Sequence, residues 1–196
     1  MKINPNYKLE KIASTDPNRH ILNHLHINKA HPVLKCPALE ATDGRRYVAV
    51  PIKLEKGDNS EFIHPSLLQA ARIAHRAMKK KLGKRNFNKY EMSIKLRKRW
   101  TQTEDRIIRP QADLPIDPYP KVSEVMPRLS ENLNKTPIER SAINAQFLAE
   151  MQEAMNDGRR HTAGVKLTFY GELQPIEVEP TNVADMCYGV LMQMRI

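Results

Sequence analysis

The sequence predicts an α+β fold in which antiparallel sheets carry two helices on one face. Three observations lead to this fold class. Segments rich in β-branched and aromatic residues lie before, between and after two segments whose apolar residues recur at helical spacing, and prolines and glycines separate these segments. At 196 residues the chain is long enough for one large domain or two small ones.

The first third of the chain predicts a polar lead-in followed by a hairpin. Residues 1–32 contain three prolines and four histidines, which indicates loose structure with one strand near residues 21–27. Strand-like segments follow at 33–41 and 45–54. Thr42-Asp43-Gly44 between them predicts a tight turn, because glycine readily adopts positive φ.

His64-Pro65-Ser66 predicts the start of the first helix, because a proline in the first turn loses no hydrogen bond there. Gly83 is the predicted end. The expected buried stripe consists of Leu67, Ala71, Ala74 and Met78. The opposite face is expected to be an exposed basic strip with Gln69, Arg72, Arg76, Lys79 and Lys80.

Strands are predicted at 90–99 and 106–109, and five prolines between residues 110 and 127 predict an extended surface connector. The second helix is expected to begin with a capping box formed by Thr136, Pro137 and Glu139. It would end at Gly158, bury Ala142, Ala145, Leu148, Met151 and Met155, and expose Gln146, Glu150, Glu153 and Asp157.

The predicted terminal strands are 165–170, 173–178 and 188–196. The predicted organisation is a lead-in at 1–32, a domain at 33–127 and a half-domain at 128–196.

Positive charge is the densest functional signal. The formal net charge is +10 and the pI is about 9.7, which indicates a polyanionic partner or an anionic membrane surface. From Arg72 to Arg99 there are twelve Lys and Arg residues and one acid, Glu91. Clustered cations favour sequence-independent contact with phosphates. The candidate DNA-binding residues are Arg72, Arg76, Lys79, Lys80, Lys81, Lys84, Arg85, Arg97, Lys98 and Arg99.

The sequence predicts neither catalysis nor a metal or other cofactor. It lacks a Gly-rich phosphate loop, a GxSxG turn and a CxxC pair, and its acids do not align for two-metal chemistry. The histidines at 20, 24, 26 and 31 have no acid or cysteine to complete a ligand set. Cys36 and Cys187 are expected to be reduced thiols. No apolar run suits a membrane span or a signal peptide, so a cytoplasmic protein is expected.

Three separate blocks of this sequence form a pattern that local structure does not explain. The turn block is Leu39-Glu40-Ala41-Thr42-Asp43-Gly44-Arg45-Arg46-Tyr47-Val48-Ala49-Val50-Pro51. The linker block is Tyr119-Pro120-Lys121-Val122-Ser123-Glu124-Val125-Met126-Pro127, and the terminal block is Val190-Leu191-Met192-Gln193-Met194-Arg195-Ile196. Together these blocks resemble the bacterial sliding clamp, the β subunit of DNA polymerase III. In clamps these blocks converge on a hydrophobic groove that receives short motifs of polymerases and clamp loaders.

The resemblance implies a peptide-binding groove in this chain. The matching positions are Leu22, Thr42, Gly44, Arg45, Arg46, Tyr47, Pro120, Val125, Val190, Met192, Met194 and Arg195. Methionines adapt to varied apolar side chains, and arginines can hold the polar ends of a peptide.

The chain also departs from the clamp pattern. A clamp protomer has three domains and six helices, whereas this sequence predicts about two helices, and Gln193 replaces a usual proline. The resemblance therefore implies a reduced clamp of a kind that a phage or mobile element could carry. Its oligomeric state, from monomer to ring, stays open, as does the preference for DNA or RNA. The alternative is a basic nucleic-acid-binding accessory or regulatory protein without clamp activity.

Overall fold

The computed structural model of the protein describes residues 1–82, 91–111, 114–127, 141–158, 164–181 and 186–194. Within these ranges it contains two α-helices, α1 (Pro65–Leu82) and α2 (Ala145–Met155), and three antiparallel sheets. The predicted α+β class with antiparallel sheets and two helices is confirmed.

Twelve strands are present in the described residues. Their bounds are β1 Lys2–Ile3, β2 Leu25–Asn28, β3 Ala38–Thr42, β4 Arg46–Pro51, β5 Phe62–Ile63, β6 Met92–Ser93, β7 Lys95–Arg97, β8 Trp100–Gln102, β9 Ile108–Pro110, β10 Val165–Thr168, β11 Ile176–Pro180 and β12 Tyr188–Leu191. The largest sheet has the order β10-β11-β12-β4-β3-β2-β5. The smaller sheets are β7-β8-β9 and β1-β6.

The last strand of the chain joins its two halves, because β12 pairs with β4 in the middle of the largest sheet. The register aligns Gly189 with Val48, Val190 with Tyr47 and Leu191 with Arg46. Gly189 allows α2 to pack closely here. A Cβ at this position would lie 2.7 Å from Cε of Met151 and 3.2 Å from the carbonyl oxygens of Tyr47 and Val178.

One face of the largest sheet carries the main hydrophobic core, to which both helices and the N-terminal segment contribute. Met1, Ile3, Tyr7, Leu9 and Ile12 are buried there. The prediction of a loosely structured lead-in is therefore wrong for residues 1–13. A 3-10 helix at Leu9–Lys11 in this segment contacts both α1 and α2.

The other face of the sheet carries a second apolar cluster. Tyr47, Tyr188 and Val190 pack there with Met126 of the proline-rich connector. The connector contains a 3-10 helix at Val122–Val125 and otherwise runs as the predicted extended segment in its described parts. It therefore covers part of the sheet.

Several predicted boundaries differ in the structure. The capping box at Thr136–Glu139 and the helix end at Gly83 lie outside the described residues. Residues 141–144 are not helical, however, and α2 begins after Asn144, whose Oδ1 accepts hydrogen bonds from the backbone N–H groups of Gln146 and Phe147. The strand predicted at 90–99 is interrupted at Ile94, so that β6 and β7 belong to different sheets.

The predicted exposed position of Arg72 is wrong, because its side chain is buried beside the N-terminal segment. The predicted exposed face of the second helix is confirmed for Gln146 but wrong for its three acids. Asp157 is buried, and Glu150 and Glu153 are half-buried in ion pairs with Arg46, Lys8 and Lys11. No helix in the described ranges is long and apolar enough to cross a membrane.

Candidate functional site

The turn between β3 and β4 has a conformation fixed by its own side chains. Oγ1 of Thr42 donates a hydrogen bond to the carbonyl of Arg46 (2.7 Å) and accepts one from the N–H of Gly44 (3.1 Å). Oδ1 of Asp43 accepts bonds from the N–H groups of Arg45 (2.9 Å) and Arg46 (3.0 Å). Gly44 has a φ of +89°, which favours glycine. The predicted Thr-Asp-Gly turn is thus confirmed as a defined structure.

The two arginines that follow the turn have different environments. Arg45 is exposed, and its guanidinium has no hydrogen-bond or ion-pair partner among the described residues. Arg46 is 7% exposed and lies over the ring of Phe147 at 4.5 Å. It forms ion pairs with Asp43 (3.0 Å) and Glu150 and donates to the carbonyl of Lys11 (3.1 Å). Arg46 therefore joins the turn, α2 and the N-terminal segment.

Ion pairs also fix α2 against the N-terminal segment. The hydrogen bond from Arg46 lowers the pKa of Glu150. Lys11 and Lys8 together lower the pKa of Glu153 to about 2. Both carboxylates are therefore charged near neutral pH and hold α2 in place beside the turn.

The residues after β12 run alongside the turn and residues 141–144. The N–H of Met192 donates to the carbonyl of Arg45 (3.0 Å), and the N–H of Met194 donates to the carbonyl of Ala142 (2.9 Å). Nε2 of Gln193 donates to the carbonyls of Gly171 (2.7 Å) and Gln174 (2.8 Å). Gln193, the departure from the clamp pattern, thus fixes this segment through its side chain.

These elements form an open pocket of about 350 Å³ at the surface. Its lining residues are Arg45, Asn144, Phe147, Met192, Gln193 and Met194. Met192 and Met194 are 40% and 50% exposed, which is high for methionine. Among the residues that the structure describes, the lining contains apolar side chains, one cation without an ion-pair partner and no acid. Such a pocket suits an apolar side chain with an adjacent anionic group.

The structure brings together only part of the predicted groove. Arg45, Met192 and Met194 line the pocket. Arg46 does not line it, but its guanidinium lies over the ring of the lining residue Phe147. Thr42 and Gly44 shape the turn, and Leu22 is near it, with Cδ1 3.9 Å from where a Cβ of residue 44 would lie. Pro120 and Val125 are exposed in the connector, whereas Arg195 lies outside the described residues. Their roles in peptide binding stay predictions.

Tyr47 and Val190 are paired with each other in the register of β4 and β12, next to Arg46. Both are buried beneath Met126 in the second apolar cluster. Nδ1 of His31 accepts bonds from the N–H groups of Val33 and Leu34, so Nε2 carries the proton and donates to Oη of Tyr47 (3.0 Å). Burial is the main cause that raises the pKa of Tyr47 and lowers that of His31. Tyr47 is thus a fixed neutral side chain in the wall of the cluster.

Sequence reasoning missed Asn144, Phe147 and Gln193 as lining residues. Asn144 had a local signal, since asparagine is a preferred N-cap and the apolar spacing of α2 resumes after it. Phe147 and Gln193 had no local signal for the pocket, because they reach it only through the packing of α2 and the terminal segment.

The predicted DNA-binding residues also divide into groups. Exposed side chains without an ion-pair partner in the described residues are Arg76, Lys79, Lys80, Lys81, Lys98 and Arg99. Arg97 is half-buried with its guanidinium 5.8 Å from the ring of Trp100, and Lys84 and Arg85 lie outside the described residues. Arg72 is 6% exposed and binds the carbonyls of Pro5 and Tyr7 and the carboxylate of Glu10, which removes it from any DNA-facing surface.

The described residues contain no group of three or more His, Cys, Asp or Glu side chains that could hold a metal ion. Cys36 and Cys187 are both free thiols in the structure.

The chain has the fold of the bacterial DNA sliding clamp, the β subunit of DNA polymerase III. Its whole length superimposes on the Caulobacter crescentus β sliding clamp with a TM-score of 0.64 at 13% identity, covering 65% of that protein. The Borrelia burgdorferi β subunit matches with a TM-score of 0.63 at 12% identity and 64% coverage. The Bartonella birtlesii clamp, bound to griselimycin, matches with a TM-score of 0.63 at 12% identity and 66% coverage.

The chain thus spans about two thirds of the length of these clamps. No family model and no curated protein sequence matches it. The resemblance inferred from the three sequence blocks is confirmed as a likeness of fold, at an identity that fits a divergent or reduced form.

Proposed function

We propose that this protein is a reduced, non-catalytic sliding-clamp-like protein that tethers a polymerase or clamp-loader-type protein to DNA. The observation that carries the proposal is the pairing of β12 with β4 within a clamp fold. This pairing brings Arg45 of the turn together with Met192 and Met194 of the terminal segment in one pocket. No cofactor is required, and the cytoplasm is the expected location.

The pocket would bind a short clamp-binding motif from the partner protein. Met192, Met194 and Phe147 offer polarisable or aromatic surface to an apolar side chain, and Met residues adapt to different shapes. The guanidinium of Arg45 has no partner within the described residues and would pair with a carboxylate of the peptide. In one structure of the similar Caulobacter clamp, polyethylene glycol is bound to a putative β-motif tethering region, which supports a ligand-accepting site on this fold.

DNA would be contacted through the exposed cations near the end of α1 and in the β7–β8 turn. Arg76, Lys79, Lys80 and Lys81 occupy consecutive turns of α1, and contacts of this kind would bind the phosphate backbone without reading sequence. Encirclement of DNA would require a homo-oligomer that closes into a ring. A monomer would act as a simple tether.

The replacement Met192→Ala tests the pocket. A labelled peptide with a clamp-binding motif should bind the wild-type protein in the micromolar range, on the order of −8 kcal/mol. The variant should weaken binding about ten-fold, because truncating a central apolar contact costs roughly 1 kcal/mol or more. Fluorescence anisotropy measures both affinities.

Met186→Ala is the matched control, since Met186 is 54% exposed and does not line the pocket. Equal weakening by both replacements, or no binding by the wild-type protein, would contradict the pocket assignment.

The second candidate function is that of a basic nucleic-acid-binding accessory protein without clamp activity. The burial of Tyr47 and Val190 beneath Met126 favours it, because those residues are closed to a peptide. It predicts nucleic-acid binding in the absence of any peptide affinity.

A further inference from the structure

We propose that one face of the β7-β8-β9 sheet binds single-stranded nucleic acid, with Trp100 stacking on a base and neighbouring cations contacting phosphates. This inference rests on the proposed nucleic-acid binding for the role of Lys98 and Arg99. It goes beyond that function in the class of ligand and in the mode of contact.

Strand register defines the face. Lys95 aligns with Gln102, and Gln102 with Ile108, while Arg97 aligns with Trp100, and Trp100 with Pro110. These two rows therefore share one side of the sheet, because side chains two residues apart in a strand point the same way. We call this side the Trp100 face.

The opposite side of the same sheet is packed into the protein. Leu96 and Thr101, which are paired in the register, are fully buried. Three further hydrogen bonds fix the hairpin: Oδ1 of Asn59 accepts from the N–H of Lys98 (3.0 Å), Oδ1 of Asp58 accepts from the N–H of Leu96 (3.1 Å), and Nε2 of Gln111 donates to the carbonyl of Arg97 (2.8 Å). The Trp100 face is thus a supported platform.

The charge of this region complements a phosphate chain. Residues 95–111 contain six Lys or Arg residues and two acids. Lys95, Lys98, Arg99 and Arg106 are exposed and have no ion-pair partner in the described residues. Both acids are engaged elsewhere: Glu104 accepts from Nδ1 of His75 (2.7 Å) and the N–H of Ser93 (3.0 Å), and Asp105 pairs with Arg109 (2.9 Å).

Trp100 supplies the contact that distinguishes single strands from duplex. Its ring is half-buried, with the Arg97 guanidinium 5.8 Å from its centroid. Exposed bases of a single strand stack on such aromatic rings, often with help from an adjacent arginine, whereas bases in a duplex are already stacked on each other. An aromatic ring between cations is the arrangement that sequence-tolerant single-strand sites use.

Arg106 has an unfavourable backbone conformation in the β8–β9 turn. Its φ of +62° lies in the left-handed region, which residues other than glycine adopt only at a cost in energy. Glycine would relieve that cost, yet the chain carries an exposed cation at this turn beside the Trp100 face. A contact between the Arg106 guanidinium and a phosphate would account for an arginine at this position.

Trp100 is the single tryptophan of the chain, so intrinsic fluorescence reports on this site directly. Titration with an oligothymidylate of about 12 nucleotides, within the usual size range of such sites, should quench the emission saturably. Duplex DNA at the same concentration would contact the cations of α1 and of the β7–β8 turn without stacking on Trp100, so it should produce no comparable quenching.

Two variants separate stacking from folding. Trp100→Ala should weaken binding of a labelled oligonucleotide roughly ten-fold, as expected for the loss of one stacked base, while Trp100→Phe retains most of the affinity. The double replacement Lys98→Glu and Arg99→Glu, at an exposed turn, should abolish quenching of the intact Trp100. Lys29→Ala, an exposed lysine on another part of the chain, is the control and should change nothing.

Three outcomes would overturn the proposal. The first is the absence of saturable quenching by the oligonucleotide. The second is equal quenching by duplex, and the third is stronger quenching by vesicles containing anionic phospholipid, which would assign the face to a membrane. The proposed tethering function is tested independently, because peptide affinity at the Met192 pocket does not depend on Trp100 emission.

Discussion

Replacing Arg72 by alanine is expected to lower the free energy of unfolding by about 3 kcal/mol, as for the breaking of a buried ion pair. Arg72 is 6% exposed and connects α1 with the N-terminal segment through Glu10 and the carbonyls of Pro5 and Tyr7. Its loss would leave these acceptors without their donor at the edge of the core. Urea denaturation followed by circular dichroism measures the change.

Arg76, one helical turn further along α1, is the matched control because it is exposed and has no ion-pair partner among the described residues. Arg76→Ala should leave unfolding nearly unchanged but weaken DNA binding, and it should reduce the slope of log K against log salt by roughly 0.9. Arg72→Ala should keep the wild-type slope under conditions in which it is folded. A large loss of stability in Arg76→Ala together with a reduced salt slope in Arg72→Ala would contradict this account of α1.

The second large effect is expected at Arg46. Arg46→Ala should lower the free energy of unfolding by about 3 kcal/mol, since it leaves Glu150 and the carbonyl of Lys11 without a buried partner. It also removes the cation over Phe147, a pocket residue. Peptide affinity should therefore fall together with stability, as urea denaturation and peptide anisotropy would show.

Arg45→Ala provides the comparison within the same turn. Arg45 is exposed and lines the pocket, so its replacement should leave stability within about 0.5 kcal/mol of wild type, as is usual for surface positions. Affinity should still fall for a peptide that carries a carboxylate. A large loss of stability in Arg45→Ala, or unchanged stability in Arg46→Ala, would show that the roles of the two arginines are reversed.

The features that sequence reasoning predicted well depend on neighbouring residues. The Thr42-Asp43-Gly44 turn is closed by bonds within five residues, and α1 begins at Pro65 as expected. The terminal strand was predicted too long, because Met192 and Met194 leave the sheet to bond the turn and Ala142. Those bonds depend on where distant segments pack.

The errors arose where long-range packing decides the outcome, although some signals were present. Arg72 lies four residues after Leu68 and three before His75, both buried, so its helical spacing already placed it beside the core. Met1, Ile3, Tyr7 and Leu9 follow an alternation that indicates a half-buried extended segment. The second helix was misplaced because Thr136-Pro137 is a stronger local signal than Asn144.

The pocket shows a further limit of sequence reasoning. Arg45, Met192 and Met194 came from the resemblance to clamps, since nothing local relates residue 45 to residue 194. Tyr47 and Val190 were grouped with them on the same ground. In the structure Tyr47 and Val190 do not line the pocket, because they are buried beneath Met126. That burial depends on the path of the connector.

The most direct test of tethering is whether one protein molecule holds DNA and a clamp-binding peptide at the same time. Energy transfer between a donor on the peptide and an acceptor on a DNA duplex, measured with and without protein, reports this ternary complex. We expect transfer with the wild-type protein and its loss in both Met192→Ala and the combined Arg76→Ala, Lys79→Ala and Lys80→Ala variant. Mutually exclusive binding of peptide and DNA, or transfer that persists in Met192→Ala, would contradict the proposed function.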